Sequence, residues 1–408
     1  MPGGILQLNN YGAEDILLTG NPQMTFFKTL YKRHSNFAME SLSQTIEGSI
    51  NFGNTLYVTL NKAGDLIRGL TLEINLPELL PPNSNYIWYG YTNNVVCSII
   101  KSITISIGGQ VIDKHFGEWY DILDEFQNNK NKHIYGKYNS EFSIRNNNKS
   151  QTLYLPLKFW FCKNIGNALP LISLLHSDIT LAIELRELKE IIKTDATVWS
   201  LPRTTGNNLD IKLWAEYIYL EKNEKLIFSS SKHEYLIEQL QFTGEDTLFS
   251  GLLSYNFNLY FKHPIKEILW VIIDNINSSI DPKQGNNFLK YTNIKNQNSD
   301  TFKSADIKIN GVAIFPERPA NYFRQILPLQ HHEYIPKKHI YIYSFALSPE
   351  QHQPSGTMNF SLIDNAYLEL KFNQSGIGSS TNSRVKIYAI NYNILKIMSG
   401  QASLSYQA

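Results

Sequence analysis

Cysteine is almost missing from this chain: Cys97 and Cys162 are the two in 408 residues. That is too few, and too widely spaced, for a disulfide framework. Both read as buried reduced thiols within strands, since free cysteine behaves as a small hydrophobe, and a reducing compartment fits them. Charge is scarce as well, at 18% of residues against ~25% in an ordinary soluble domain. It is also balanced, with 37 basic and 36 acidic side chains and no basic run longer than Lys32-Arg33 or Lys337-Lys338. A protein that coats nucleic acid needs a basic stripe, so direct nucleic-acid binding is not expected. Long apolar runs are missing too. Residues 268–273 (Ile-Leu-Trp-Val-Ile-Ile) fall far short of the ~20 that span a bilayer. The opening residues carry neither the basic region nor the apolar stretch of a leader. The expectation is a soluble protein with no membrane span, made in the cytosol.

What is present is strand pattern. Aromatic residues make up 12% of the chain. Residues 102–107 (Ser-Ile-Thr-Ile-Ser-Ile) alternate polar and apolar, as a half-buried strand does. Residues 54–60, 70–76, 179–185, 211–219, 252–261, 307–309, 340–345, 367–372 and 385–392 behave likewise. Clusters of Gly, Asn, Pro and Ser separate them. The best helix lies over residues 118–126, with apolar side chains at helical spacing. A strand-rich, helix-poor chain of this length predicts two packed all-β units.

Internal repetition supports the pair. Residues 65–74 match 263–272. Residues 105–112 match 307–314, each a strand, a Gly turn and a second strand, and each leads to an aromatic stretch (119–123 and 322–327). Residues 154–157 followed by 179–185 match 343–347 followed by 366–372. Each half closes on a Tyr-bearing strand, 215–220 and 385–392. The offsets stay near two hundred residues. About eight strands in ~180 residues suits a jelly roll, two sheets packed face to face. The expected fold class is therefore all-β, two tandem eight-stranded jelly-roll β-sandwiches with a few short helices. The expected boundaries are an N-terminal arm at 1–24, a first jelly roll at 25–222, a linker at 223–235, a second jelly roll at 236–400 and a tail at 401–408. The linker is placed by the charged and Ser-rich residues 221–225 and 229–232. Residues 146–150, 275–279, 286–299 and 374–383 read as exposed loops.

Motifs for chemistry are weak. His331-His332-Glu333 and the pair His115 and Glu118 are the densest ligand combinations, but neither has a second half at metal-binding spacing. A surface or interface role is expected for both. Gly108-Gly109 lies in a strand-turn-strand context with no helix N-terminus to hold phosphate. Asp121, Asp124 and Glu125 read as the solvated face of the short helix. Sequons at Asn148, Asn277, Asn359 and Asn373 are what chance supplies in an Asn-rich chain. No catalytic residue, cofactor or metal ligand is expected.

Longer stretches carry a resemblance. They are residues 3–8 (Gly-Gly-Ile-Leu-Gln-Leu), 11–23 (Tyr-Gly-Ala-Glu-Asp-Ile-Leu-Leu-Thr-Gly-Asn-Pro-Gln), 25–28, 31–34 and 36–40, then 107–115, 168–172, 233–244, 343–347, 353–361, 363–365 and 391–400. Together they resemble major capsid proteins of nucleocytoplasmic large DNA viruses, nearest the phycodnavirus and mimivirus-like branch. The resemblance implies two jelly rolls side by side and a homotrimeric capsomer of nearly hexagonal outline. It further implies neighbouring capsomers, minor capsid and penton proteins as partners, an internal viral membrane beneath, and residence in the virion after synthesis in the host cytoplasm or viral factory. The outer loops look trimmed relative to longer members. Two rival readings are weighed against this one. A double jelly-roll assembly scaffold would be absent from purified particles, whereas a shell protein would dominate them. A carbohydrate-binding or carbohydrate-active β-sandwich would bind a glycan array.

Overall fold

In a computed structural model the described residues are 3–10, 12–82, 88–127, 148–196, 200–205, 208–292, 299–372 and 382–406. The expected loop at 374–383 and the sequon at Asn373 lie largely outside them. The chain forms two compact units, Met1–Asn36 and Phe37–Ala408. The first holds two short helices, α1 (Gly3–Asn9) and α2 (Ile16–Thr19). The Asp15 carboxylate accepts the backbone N–H of Gly12 at 2.7 Å between them. Leu17, Leu18, Phe26, Phe27 and Tyr31 are exposed. This unit runs twelve residues beyond the expected arm boundary at 24, because the first strand starts only at Phe37.

The second unit begins with β1 (Phe37–Gln44), β2 (Thr55–Thr59), β3 (Leu66–Leu76), β4 (Ile100–Ile107), β5 (Gln110–Phe116), β6 (Gln151–Pro156), β7 (Ile179–Leu185) and β8 (Asp210–Leu220). One antiparallel sheet runs β1-β8-β3-β6 and the other β2-β7-β4-β5. That order is a jelly roll. Apart from the β4–β5 hairpin, strands adjacent in sequence alternate between sheets, so each sheet's apolar face is buried only when both have formed. β7 displays the alternation, with Ile179, Leu181, Ile183 and Leu185 inward. Gly108 and Gly109 make the β4–β5 turn at positive φ, where a side chain would be strained.

The second half repeats the order: β9 (His233–Leu248), β10 (Ser254–Asn258), β11 (Pro264–Asp274), β12 (Ser304–Ile309), β13 (Val312–Ala313), β14 (Ile340–Ser344), β15 (Ala366–Lys371) and β16 (Ser383–Met398). Its sheets run β9-β16-β11-β14 and β10-β15-β12-β13. Every segment pair matched in the sequence occupies the same place in the two jelly rolls: β3 with β11, the β4–β5 turn with the β12–β13 turn, β6 with β14, β7 with β15, β8 with β16.

Three local expectations change. The stretch expected as a linker folds as a helix over Lys222–Ser230. Phe228 packs beside Leu66, Ala168 and Ile218, and Lys225 pairs with Asp65 at 2.7 Å. The expected tail contributes a strand, Gln401–Leu404, paired with the end of β16. The cysteines lie in short helices and not in strands: Cys97 in α3 (Val95–Ile99) and Cys162 in α5 (Trp160–Lys163). Burial pushes the Cys162 thiol up to about 12, so it stays a protonated, inert thiol.

Candidate functional site: the seam between the jelly rolls

The helix expected over 118–126 spans Gly117–Phe126, α4, and follows β5 without a turn. It lies between the jelly rolls. Trp119 packs on Tyr388 at 5.7 Å, and Phe126 stacks on His332 at 4.3 Å. Phe116, just before the helix, meets Phe242 at 5.0 Å. One apolar cluster therefore continues from the first jelly roll into the second. It is why β11 is buried along nearly its whole length: one face fills its own sandwich and the other faces the first jelly roll.

Charges thread this apolar seam. Glu118 is 2% exposed and accepts from Arg186 Nη2 at 2.7 Å and Lys386 Nζ at 3.2 Å. Burial alone would raise its carboxyl, but Lys386 and Arg186 outweigh burial and hold it at about 2. Arg186 also donates to the carbonyls of Ser98 and Ile100 and covers the Phe288 ring at 4.6 Å. Lys386 reaches Glu245 at 2.8 Å.

One turn on, the solvated face expected for Asp121, Asp124 and Glu125 is not found. Asp121 is wholly buried, and Asp124 and Glu125 are half-buried. A helix at the edge of one domain would expose that face; here the second jelly roll covers it. Asp121 accepts from Asn94 Nδ2 at 2.7 Å, from the Tyr291 hydroxyl at 2.9 Å and from Lys338 Nζ at 2.6 and 2.8 Å. Glu125 accepts the backbone N–H of Lys337 at 3.2 Å.

The other end of the seam is a second charged set. Glu238 pairs with Lys163 at 2.6 Å and with Lys266. Burial opposes its ionisation, but both lysines hold its carboxyl at about 2. His332 lies between Glu267 at 3.1 Å and Glu350 at 2.8 Å. Burial opposes its charge, yet the two carboxylates raise it to about 9. With both ring nitrogens protonated, the imidazolium keeps no lone pair for a metal. The neighbours of His332 go elsewhere: the His331 ring bonds the Leu347 carbonyl, and the Glu333 backbone N–H meets Glu350. His115 pairs with Asp113 at 3.0 Å and stacks on Phe159, while Glu118 faces the cations. The sequence pair thus splits between two environments. Among the described residues no group of His, Cys, Asp or Glu is placed to hold a metal ion, and no helix is long and apolar enough to cross a membrane.

The seam residues Arg186, Lys163, Lys266 and Lys386 were not singled out from sequence. A signal existed: Lys266-Glu267 and Lys386 sit inside otherwise apolar strands, where an unpaired charge is untenable.

These charges set an expected pH profile. Glu118 and Glu238 are depressed from 4.5, so their contribution is present above about pH 4.5 and lost as pH falls towards 2. His332 is raised from 6.5, so its contribution is full below about pH 6.5 and lost as pH rises through 9. Urea midpoints measured from pH 3 to 10 should fall on both sides of that window. His332→Gln should flatten its part of the alkaline limb; an unchanged limb would remove His332 as its cause.

Comparison with known proteins agrees with this architecture. Residues 25–221 match the family described as the major capsid protein N-terminus, and residues 224–403 the family described as the large eukaryotic DNA virus major capsid protein. The chain is 36% identical to the major capsid protein of Pyramimonas orientalis virus and 34% identical to that of Paramecium bursaria Chlorella virus 1, in both cases over 100% of each chain. A chain of the quasi-atomic PBCV-1 virus capsid superposes with a TM-score of 0.78 at 31% identity, covering 94% of this chain and 100% of that one. The Faustovirus major capsid protein shares the fold, with a TM-score of 0.74 at 12% identity over 95% and 94% of the two chains. Family matches over residues 25–221 and 224–403, and 36% identity to a major capsid protein along the full length of both chains, place this chain in the major capsid protein family of large eukaryotic DNA viruses, structural proteins and not enzymes.

Proposed function

We propose that three copies of this chain close into one pseudo-hexagonal capsomer of an icosahedral shell. The observation that carries the reading is the same strand order twice in one chain. Three chains then present six similar corners, a unit that tiles a hexagonal lattice. A threefold ring closes by heterologous contacts, each jelly roll meeting a different neighbour. Low charge and many aromatics suit broad, permanent interfaces.

In this reading the protein resides in the virion, after synthesis in the host cytoplasm or viral factory. Its partners are neighbouring capsomers, minor capsid proteins and penton proteins, with an internal membrane nearby and no direct contact to nucleic acid. Residues 37–220 form the first jelly roll and 233–404 the second, with the helix Lys222–Ser230 between them. Residues 1–24 act as an arm on the inner side that binds lattice neighbours or minor proteins.

Light scattering of the purified protein should give a particle near three times 46.9 kDa; a monomer at every concentration would overturn the reading. Deleting residues 1–24 should leave trimers and abolish shell assembly. Loss of the trimer itself would refute the arm.

A further inference from the structure

The two jelly rolls repeat one strand order, yet they differ in what covers two matching surfaces. α4 has no exposed residue along Gly117–Phe126. Its counterpart in the second jelly roll is the helical segment Tyr322–His331, which follows the matched β12–β13 turn. There Phe323, Arg324, Leu327 and Pro328 are buried, while Gln325, Ile326, Leu329 and Gln330 are exposed. One face of the segment sits on its own sandwich and the other is open, with Ile326 42% and Leu329 66% exposed.

The sheets differ in the same way. β11 is buried on both faces, whereas β3 alternates, with Gly69, Thr71, Glu73 and Asn75 half-buried on its outer side. Thr71 stands where β11 has Leu269, and Glu73 where it has Val271. Across the sheet, Trp214 lies opposite Thr71 as Tyr388 lies opposite Leu269. Lys212 lies opposite Glu73 as Lys386 lies opposite Val271. Trp214 and Lys212 therefore hold the places of the two residues that receive Trp119 and Glu118 in the seam. The Trp214 indole N–H donates to Glu73 at 2.8 Å, which keeps the ring on that face. Tyr154, opposite Glu73 on β6, is 40% exposed.

A helix face and the sheet face that matches it are thus both open on one chain. The step that carries the first jelly roll onto the second carries the second onto a new molecule, so repeating the seam's contact needs another copy. We propose, resting on the trimeric reading above, that Tyr322–His331 of one copy docks on the outer face of β8 and β3 of the next, around Trp214, Thr71 and Tyr154. It does so as α4 docks on β16 and β11 within the chain. Three such steps close a ring of heterologous contacts. The composition fits, because Trp and Tyr are enriched where interfaces gain most of their energy. Thr71 and Glu73, in place of Leu269 and Val271, keep the face wetted until the partner arrives.

The test is sedimentation of the full chain. Thr71→Arg blocks the sheet face, and Leu329→Asp puts a charge on the helix face. Each should weaken association about thirtyfold or more and sediment as a monomer where the parent is a trimer, with the parent's far-UV signal. Mixed at high concentration, the two variants retain one sound pair of faces between them. The mixture should therefore give a dimer that neither variant gives alone. Variants that remain trimers, or a mixture that stays monomeric, would overturn the docking and leave the trimer standing. A parent that is itself monomeric would sink both. Tyr154→Asp is a second block of the sheet face, with the same expected outcomes, should Thr71→Arg unfold.

Discussion

Glu118→Gln should lower the unfolding free energy by about 3–5 kcal/mol, the usual cost of removing one partner from a buried ion pair. The shape is conserved, so the loss is electrostatic. Arg186 and Lys386 remain in place with their shared carboxylate gone. Arg186 keeps two backbone carbonyls and Lys386 keeps Glu245, which places the effect nearer the lower end of that range. The control is Asp178→Asn at an exposed pair, where Lys62 lies 3.2 Å away and Asp178 is 74% exposed. Surface pairs of this kind contribute about 0–1 kcal/mol. Urea midpoints of the two variants should differ several-fold in their displacement from the parent. Equal displacements would mean that the seam charges do not hold the jelly rolls together.

Gly117→Ala should be comparably damaging for a steric reason, about 3 kcal/mol or more. Gly117 is the first residue of α4, and a Cβ there would collide with the backbone carbonyl oxygens of Cys97 and Ile100. Those atoms belong to α3 and the start of β4, which cannot swing aside as a flexible side chain would. The helix would have to lift, taking Glu118, Trp119 and Asp121 with it. The expected signature is a lost near-UV signal from the buried aromatics at unchanged far-UV content, together with a lowered urea midpoint. Gly109→Ala is the contrast: its Cβ would meet nothing within 4 Å, and only the positive φ of 82° is strained, a cost of about 1–3 kcal/mol. If Gly117→Ala unfolds like the parent, the helix is not seated against those carbonyls.

Much of the fold was legible because a strand's period is written locally. Residues 102–107 and 179–185 alternate in the sequence and pair as β4 and β7. The duplication was legible because both copies kept their strand order. The seam was not, and Asp121 explains why. On a lone amphipathic helix it belongs to the polar face, and only a second domain converts that face into interior. The helix at Lys222–Ser230 escaped for a similar reason: its charges and serines are those of a connector, and Phe228 becomes a core residue only once Leu66 and Ile218 are beside it. One signal was available. Residues 268–273 are apolar without alternation, the mark of a strand covered on both faces. In a sandwich, where one face of each sheet meets water, such a run points to a neighbour on the outer face.

That doubly covered strand bears on the mechanics of a shell. Close-packed interiors compress little and transmit strain. With β11 enclosed and paired charges bridging from α4, the two jelly rolls behave as one stiff plate and not as beads on a hinge. A curved or faceted lattice must then bend along the boundaries between chains. Elastic compliance, and the fracture lines of a particle under pressure, would follow those boundaries.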